Sequence, residues 1–281
     1  MTYFEAVKWA SRALQSAGVP DPGTDAHLLM EYASGKDRAH LLILGREKMP
    51  EREEAGYREA IRKRMSRIPL QQIAGKAYFM GLEFHVSGDV LIPRQDTEIL
   101  AEAAIDIIGK FHEDRKVSVL DLCTGSGCLA VSIAHYCGET EVTAADISPE
   151  ALKIAKDNAE ENRTSVRFIE SDLFDRIPER YDLIVSNPPY IRSEEIPELM
   201  EEVKNHEPHL ALDGGPDGLY FYRKVTDEAP AHLREGGSLL YEIGKDQGED
   251  VRKILQECGF REIRVLKDFA GLDRVVCGRR I

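Results

Sequence analysis

The chain has 281 residues, 42% apolar and 31% charged, a length that suits a small domain joined to a larger one and a composition that is ordinary for a globular protein. No stretch approaches the roughly 20 apolar residues of a membrane helix, and Met1-Thr2-Tyr3-Phe4-Glu5 does not open a secretory signal, so a cytoplasmic protein is expected. A formal net charge of -13 disfavours a polyanionic partner, and the five cysteines contain no CxxC pair, so neither a zinc site nor a disulfide framework is indicated.

In chain order, Thr2 and Glu5 have the spacing of a capping box, and Phe4, Val7, Leu14 and Ala17 recur on one helical face before Gly18-Val19-Pro20. Helical stretches follow near 24–34, 37–44 and 50–67, separated by Gly35, Gly45 and Pro50. These predict a helical domain over 1–74 that holds 12 Lys and Arg against 10 Asp and Glu in residues 1–75, leaving the acidic excess downstream. The cluster Arg62, Lys63, Arg64 and Arg67 reads first as a solvated face, with a partner-binding patch as the alternative. Tyr78 to Val86, interrupted by Gly81, has the character of a short hairpin within a linker over 75–92.

From 93 to 281 a helix through about 110 is followed by alternating helices and short apolar strands. The strands fall near 117–121, 142–146, 166–169, 181–186, 238–243, 261–266 and 273–278. This alternation predicts an α/β domain with a mostly parallel sheet, helices on both faces and an antiparallel final pair, because the last connection is too short for a crossover.

The first strand runs through Asp121 into Cys123-Thr124-Gly125-Ser126-Gly127, a turn that brings backbone close to a ligand at the carboxyl edge of the sheet. Asp146 ends the next strand, where a carboxylate can accept both ribose hydroxyls; Ser148 is the better cap for the helix beginning at Pro149. These features fit a dinucleotide as well as an adenosyl cofactor. Ser186-Asn187-Pro188-Pro189-Tyr190 follows the fourth strand on the same edge. Its prolines fix the chain so that the Asn187 side-chain oxygen and Pro188 carbonyl serve as acceptors for an NH2 group, with Tyr190 packed on the planar target. That arrangement suits methyl transfer from S-adenosylmethionine to nitrogen and has no use in a nicotinamide enzyme.

The segments 69–75, Leu91 to Glu98, Glu207 to Leu219 and Glu242-Ile243-Gly244, together with the tetrapeptide, resemble the release-factor glutamine methyltransferases over nearly the whole chain. The resemblance implies a Rossmann-like class I methyltransferase sheet after a small helical substrate-recognition domain. It implies N5-methylation of the glutamine in the Gly-Gly-Gln loop of class-1 peptide-chain release factors, with no metal and no direct nucleic-acid substrate. A nucleic-acid amino methyltransferase acting on adenine or guanine is the alternative. Carried over by position, cofactor contacts fall on Asp121, Cys123, Thr124, Gly125, Ser126, Gly127, Asp146, Asp172, Leu173 and Asn187. Substrate contacts fall on Asn187, Pro188, Pro189 and Tyr190, with Asn187, Pro188 and Tyr190 catalytic. Cys123 stands where many members have glycine and is expected with negative φ; Leu173 stands where some have an aromatic residue. Glu242 either approaches the methionine part of the cofactor or caps a turn.

Overall fold

The computed structural model describes residues 1–111 and 115–281. The chain forms two compact units, one of Met1–Lys76 with Met200–His206 and one of Ala77–Leu199 with Glu207–Ile281.

The first unit is helical: α1 (Tyr3–Ser16), α2 (Pro22–Ser34), α3 (Arg38–Ile43), α4 (Glu51–Met65) and α5 (Leu70–Ala74). The capping box at α1 forms as expected, with Thr2 N–H donating to Glu5 and Glu5 N–H donating to the Thr2 hydroxyl. The buried stripe of α1 is Tyr3, Ala6, Ala10 and Leu14. Phe4 instead stays half exposed, its ring lying over Gly45, where an added Cβ would come within 2.2 Å of it.

The basic cluster at the end of α4 divides. Arg62 and Lys63 are exposed, whereas Arg64 is buried and pairs with Asp25 at 2.6 Å and Glu202 at 2.9 Å. Arg67 pairs with the same Glu202 at 2.5 Å. A solvated face is therefore the wrong reading for Arg64 and Arg67, because Glu202, far along the chain, returns to them in the segment 200–206. Burial alone would raise Glu202, but Arg67 and Arg64 outweigh it and hold the carboxyl down at about 2.

The second unit begins with the hairpin β1 (Lys76–Phe79) and β2 (Leu82–His85). Phe79 and Phe84 enter the core beneath the large sheet, so from Ala77 on the hairpin is built into this unit. Next come α6 (Glu98–Ile108), β3 (Val117–Leu122), α7 (Cys128–Tyr136), β4 (Thr140–Asp146), α8 (Pro149–Glu161), β5 (Val166–Glu170) and β6 (Tyr181–Ser186). The chain then passes through α9 (Glu201–His206) of the first unit and returns for α10 (Tyr220–His232), β7 (Leu233–Glu242), α11 (Gly248–Glu257), β8 (Arg261–Lys267) and β9 (Asp273–Arg279).

The seven strands lie in the order β5-β4-β3-β6-β7-β9-β8. The first five pair in parallel, and β9 pairs antiparallel with both β7 and β8, which matches the expected antiparallel final pair. Strands β3 and β6 are buried at every position, as the central strands of a sheet covered on both faces must be. The chain moves outward from β3 to β4 and β5 on one side and to β6 and β7 on the other. The crevice at this change of direction opens at the carboxyl ends of the strands.

Candidate cofactor and amide site

The turn after β3 is held from below. Asp121 is fully buried, and its Oδ2 accepts the Thr124 hydroxyl at 2.6 Å and the Ala130 N–H at 3.2 Å. Asn158 of α8, also fully buried, donates to the Ser126 carbonyl at 2.8 Å and exchanges two bonds with the backbone of His85 in β2. Cys123 has φ +60, contrary to the negative φ expected of it. The chain must turn sharply where Thr124 N–H reaches across to the Ala145 carbonyl at 3.0 Å, and a non-glycine residue accepts the left-handed conformation there at a cost of about 1–2 kcal/mol. Burial pushes the Cys123 thiol well up, which removes it as a nucleophile. At Gly127, with φ +81, a Cβ would come within 2.9 Å of Ala155, so this glycine sets how closely α7 packs on α8.

A cavity of about 310 Å³ lies above this turn. Cys123, Thr124, Gly125, Ser126, Asp146, Asp172, Leu173, Asn187 and Pro189 line it. Asp146 accepts the Gly125 N–H at 2.8 Å and the Ser148 N–H at 3.0 Å, and burial raises its carboxyl despite these bonds. Ser148 caps α8 through Ala151 N–H, as expected, leaving Asp146 for a ligand. Across the cavity Lys224 stands 3.5 Å from Asp172. Phe221 and Tyr220 supply aromatic faces near Leu173, which takes φ +49.

The tetrapeptide is stitched on its other side. Gln247 donates to the Tyr190 carbonyl at 3.0 Å and to the Gly218 carbonyl at 3.2 Å. A Cβ at Gly214 would sit 2.7 Å from Tyr190 Cα, and one at Gly218 would sit 2.5 Å from the Tyr190 carbonyl oxygen. The glycines of Asp213-Gly214-Gly215-Pro216-Asp217-Gly218 are therefore needed for two backbones to touch. Tyr190 turns its hydroxyl to Glu242 at 3.2 Å and does not line the cavity; nor do Pro188, Asp121 and Gly127. Two of the motifs quoted without a role, Leu91 to Glu98 and Glu207 to Leu219, also meet here. Arg94 donates to the buried Glu207 at 2.5 Å, and Pro93, Arg94, Thr97, Pro208 and Leu210 line the cavity.

Residues 5–75 match the family model described as the PrmC N-terminal domain, and residues 100–216 match the methyltransferase small domain. The release factor glutamine methyltransferase of Clostridium acetobutylicum is 43% identical over 91% of this chain and 90% of its own length. That of Bacillus subtilis is 41% identical over 98% of this chain and 97% of its own length. The chain belongs to the release factor glutamine methyltransferase family. A methyltransferase from Pyrococcus furiosus, 19% identical, superposes with a TM-score of 0.53 over 72% of this chain and 90% of its own, a likeness of fold.

Within this release factor glutamine methyltransferase family member, nine of the residues singled out from sequence share one cavity. Asp121, Gly127 and Tyr190 support the surrounding backbone from outside it, and Pro188 lies between the lining residues Asn187 and Pro189. Sequence reasoning missed Thr97, Phe221, Lys224, Gln247 and Asn158. Thr97 and Gln247 lie in or beside quoted motifs, so position was the available signal; Asn158 and Lys224 lie mid-helix and carry none.

Proposed function

We propose that this methyltransferase uses S-adenosylmethionine to methylate the side-chain nitrogen of the glutamine in the Gly-Gly-Gln motif of class-1 release factors. The observation that carries this reading is that Asn187 and the glycine turn line a single cavity. The residues fit the cofactor: Gly125 leaves open space where a Cβ would project, and Asp146 stands beside it with acceptor oxygens for ribose. Asp172 would accept from the adenine amino group, and Leu173 with Phe221, which line the same cavity, would cover the ring. When bound, S-adenosylmethionine supplies an electrophilic methyl on a sulfonium.

The rest is positioning. Asn187 Oδ1 and the Pro188 carbonyl accept the two N–H groups of the target amide, which directs the nitrogen's electrons along one line. As the nitrogen gains its methyl group it sheds one proton. Tyr190, anchored at Glu242, fixes the tetrapeptide rather than stacking on the target. The helical unit, residues 1–74 together with the return segment, grips the release factor, and residues 93–281 carry the chemistry.

Incubating the protein with S-adenosylmethionine and an unmodified class-1 release factor, followed by peptide mass spectrometry, tests this. Added mass on the Gly-Gly-Gln glutamine is expected. An unmodified peptide from an enzyme shown to bind the cofactor overturns it in favour of an amino group on nucleic acid.

A further inference from the structure

Glu242 ends β7 on the cavity edge of the sheet and is 1% exposed. One oxygen accepts from Tyr190; the other, Oε2, is buried and completes no hydrogen bond among the described residues. Thr97, 2% exposed and lining the cavity, accepts from Asn187 Nδ2 at 3.4 Å. Burial raises Glu242, and the Thr97 hydroxyl, then the charge of Arg274, partly offset this, so Thr97 is the neighbour with a proton to offer the oxygen that lacks one. Glu242 is thus bonded at the tyrosine end of the tetrapeptide and lies beside the hydroxyl that holds its asparagine end.

A hydroxyl has one proton to give. When an ionised carboxylate takes the Thr97 proton, the Thr97 oxygen can only accept, and Asn187 must turn its NH2 toward it. The Asn187 oxygen is then left for the target. We propose that Glu242 is a positioning residue that, through Thr97, sets the Asn187 amide with its oxygen toward the target nitrogen and, through Tyr190, anchors the other end of the tetrapeptide. This rests on the reading of Asn187 as the acceptor for the target amide.

Glu242→Gln keeps shape and an acceptor for Tyr190, but its NH2 donates to Thr97. The Thr97 proton then goes to Asn187, whose amide turns over. In the full-length enzyme, kcat is expected to fall about 10- to 100-fold, with release-factor KM and cofactor Kd near wild type. Thr97→Val should lose a similar factor, and Thr97→Ser should restore most of it. Protonated Glu242 is equivalent to glutamine here, so the wild-type kcat falls as pH drops through the Glu242 titration and this limb is absent from Glu242→Gln. Arg274, Asp96, Tyr190, Tyr222 and Cys128 are the titratable groups around it, and they are unchanged in the variant. A wild-type kcat in Glu242→Gln overturns the proposal, and parallel loss of Tm, cofactor affinity and kcat reduces Glu242 to a structural role.

A second measurement needs no turnover. Nuclear Overhauser contact between the Asn187 side-chain NH2 and the Thr97 methyl is expected in the wild type and lost in Glu242→Gln. Its persistence in the variant overturns the proposal, even where the wild type proves inactive on release factors.

Discussion

At the amino ends of the strands, Asp182 of β6 is buried and saturated. It accepts from Arg115 twice, at 2.6 and 2.7 Å, from Ser118 N–H and hydroxyl at 2.8 Å each, and from Arg234 at 2.7 Å. Burial would raise this carboxyl, but Arg115, Ser118 and Arg234 hold it at about 2. At the carboxyl ends, Asp121 and Glu242 are as deeply buried, yet among the described residues each keeps one oxygen without a hydrogen bond, and Glu207 behind Arg94 does the same. Burial there pushes Asp121 up to about 7. One sheet therefore spends its charge pairs on stability at one edge and leaves polar capacity unspent at the other, the edge proposed to hold the cofactor and the target amide.

The largest test breaks the saturated edge. Asp182→Ala leaves the buried Ser118 N–H without its acceptor while Arg115 and Arg234, each about two-fifths exposed, can turn to solvent, and it should cost about 1–3 kcal/mol in urea unfolding, while turnover per folded molecule stays near wild type. At the other edge, Asn187→Ala should slow methyl transfer about 100-fold with cofactor Kd little changed. Asp146→Ala should chiefly weaken cofactor binding, so calorimetry beside kinetics separates the two. Equal loss of both quantities in Asn187→Ala would place that side chain on the cofactor.

The two edges should also titrate with opposite sign. Asp182, depressed in the fold, contributes stability above its unfolded value of 3.8 that is lost as pH falls through about 2. Asp121, raised, contributes stability below 3.8 that is lost as pH rises through about 7. Urea midpoints across pH in the cofactor-free protein should fall below about 3.8 on account of Asp182 and between about 3.8 and about 7 on account of Asp121, and Asp121→Asn should remove only the second decline. The smallest effect is Cys123→Gly: relief of the left-handed strain, about 1–2 kcal/mol, is opposed by the greater freedom of glycine in the unfolded chain, about 0.4–1 kcal/mol. Tm should rise slightly or hold. A clear drop would show that Cys123 packing outweighs its backbone cost.

Much of this was legible because period and punctuation are local. The strands near 117, 142, 166 and 181, the glycine turn, the Ser148 cap and the reversed final pair all follow from short stretches. Strand β7 begins at Leu233, earlier than its apolar run at 238, because Leu233 pairs with Tyr181 and the register then shifts across Arg234 to Gly237 before Ser238 resumes it. The expected φ of Cys123 failed because residue size does not report where the backbone must turn. Arg64 and Arg67 looked like surface because nothing nearby in sequence announces Glu202. Gln247 and Thr97 became visible only when the sheet brought residues 97, 187 and 242 to one edge.

Strand β9 follows β8 in sequence but lies between β7 and β8. The short β8–β9 connection closes at little entropic cost, so that hairpin can assemble by itself, and only β9 can then join it to β7. Val275 takes its place opposite Glu242 in that docking, and with it Arg274 comes to stand beside the carboxylate. The last two strands therefore wall the site as well as finish the sheet: the tyrosine end of the tetrapeptide hangs from a carboxylate whose strand neighbour is β9.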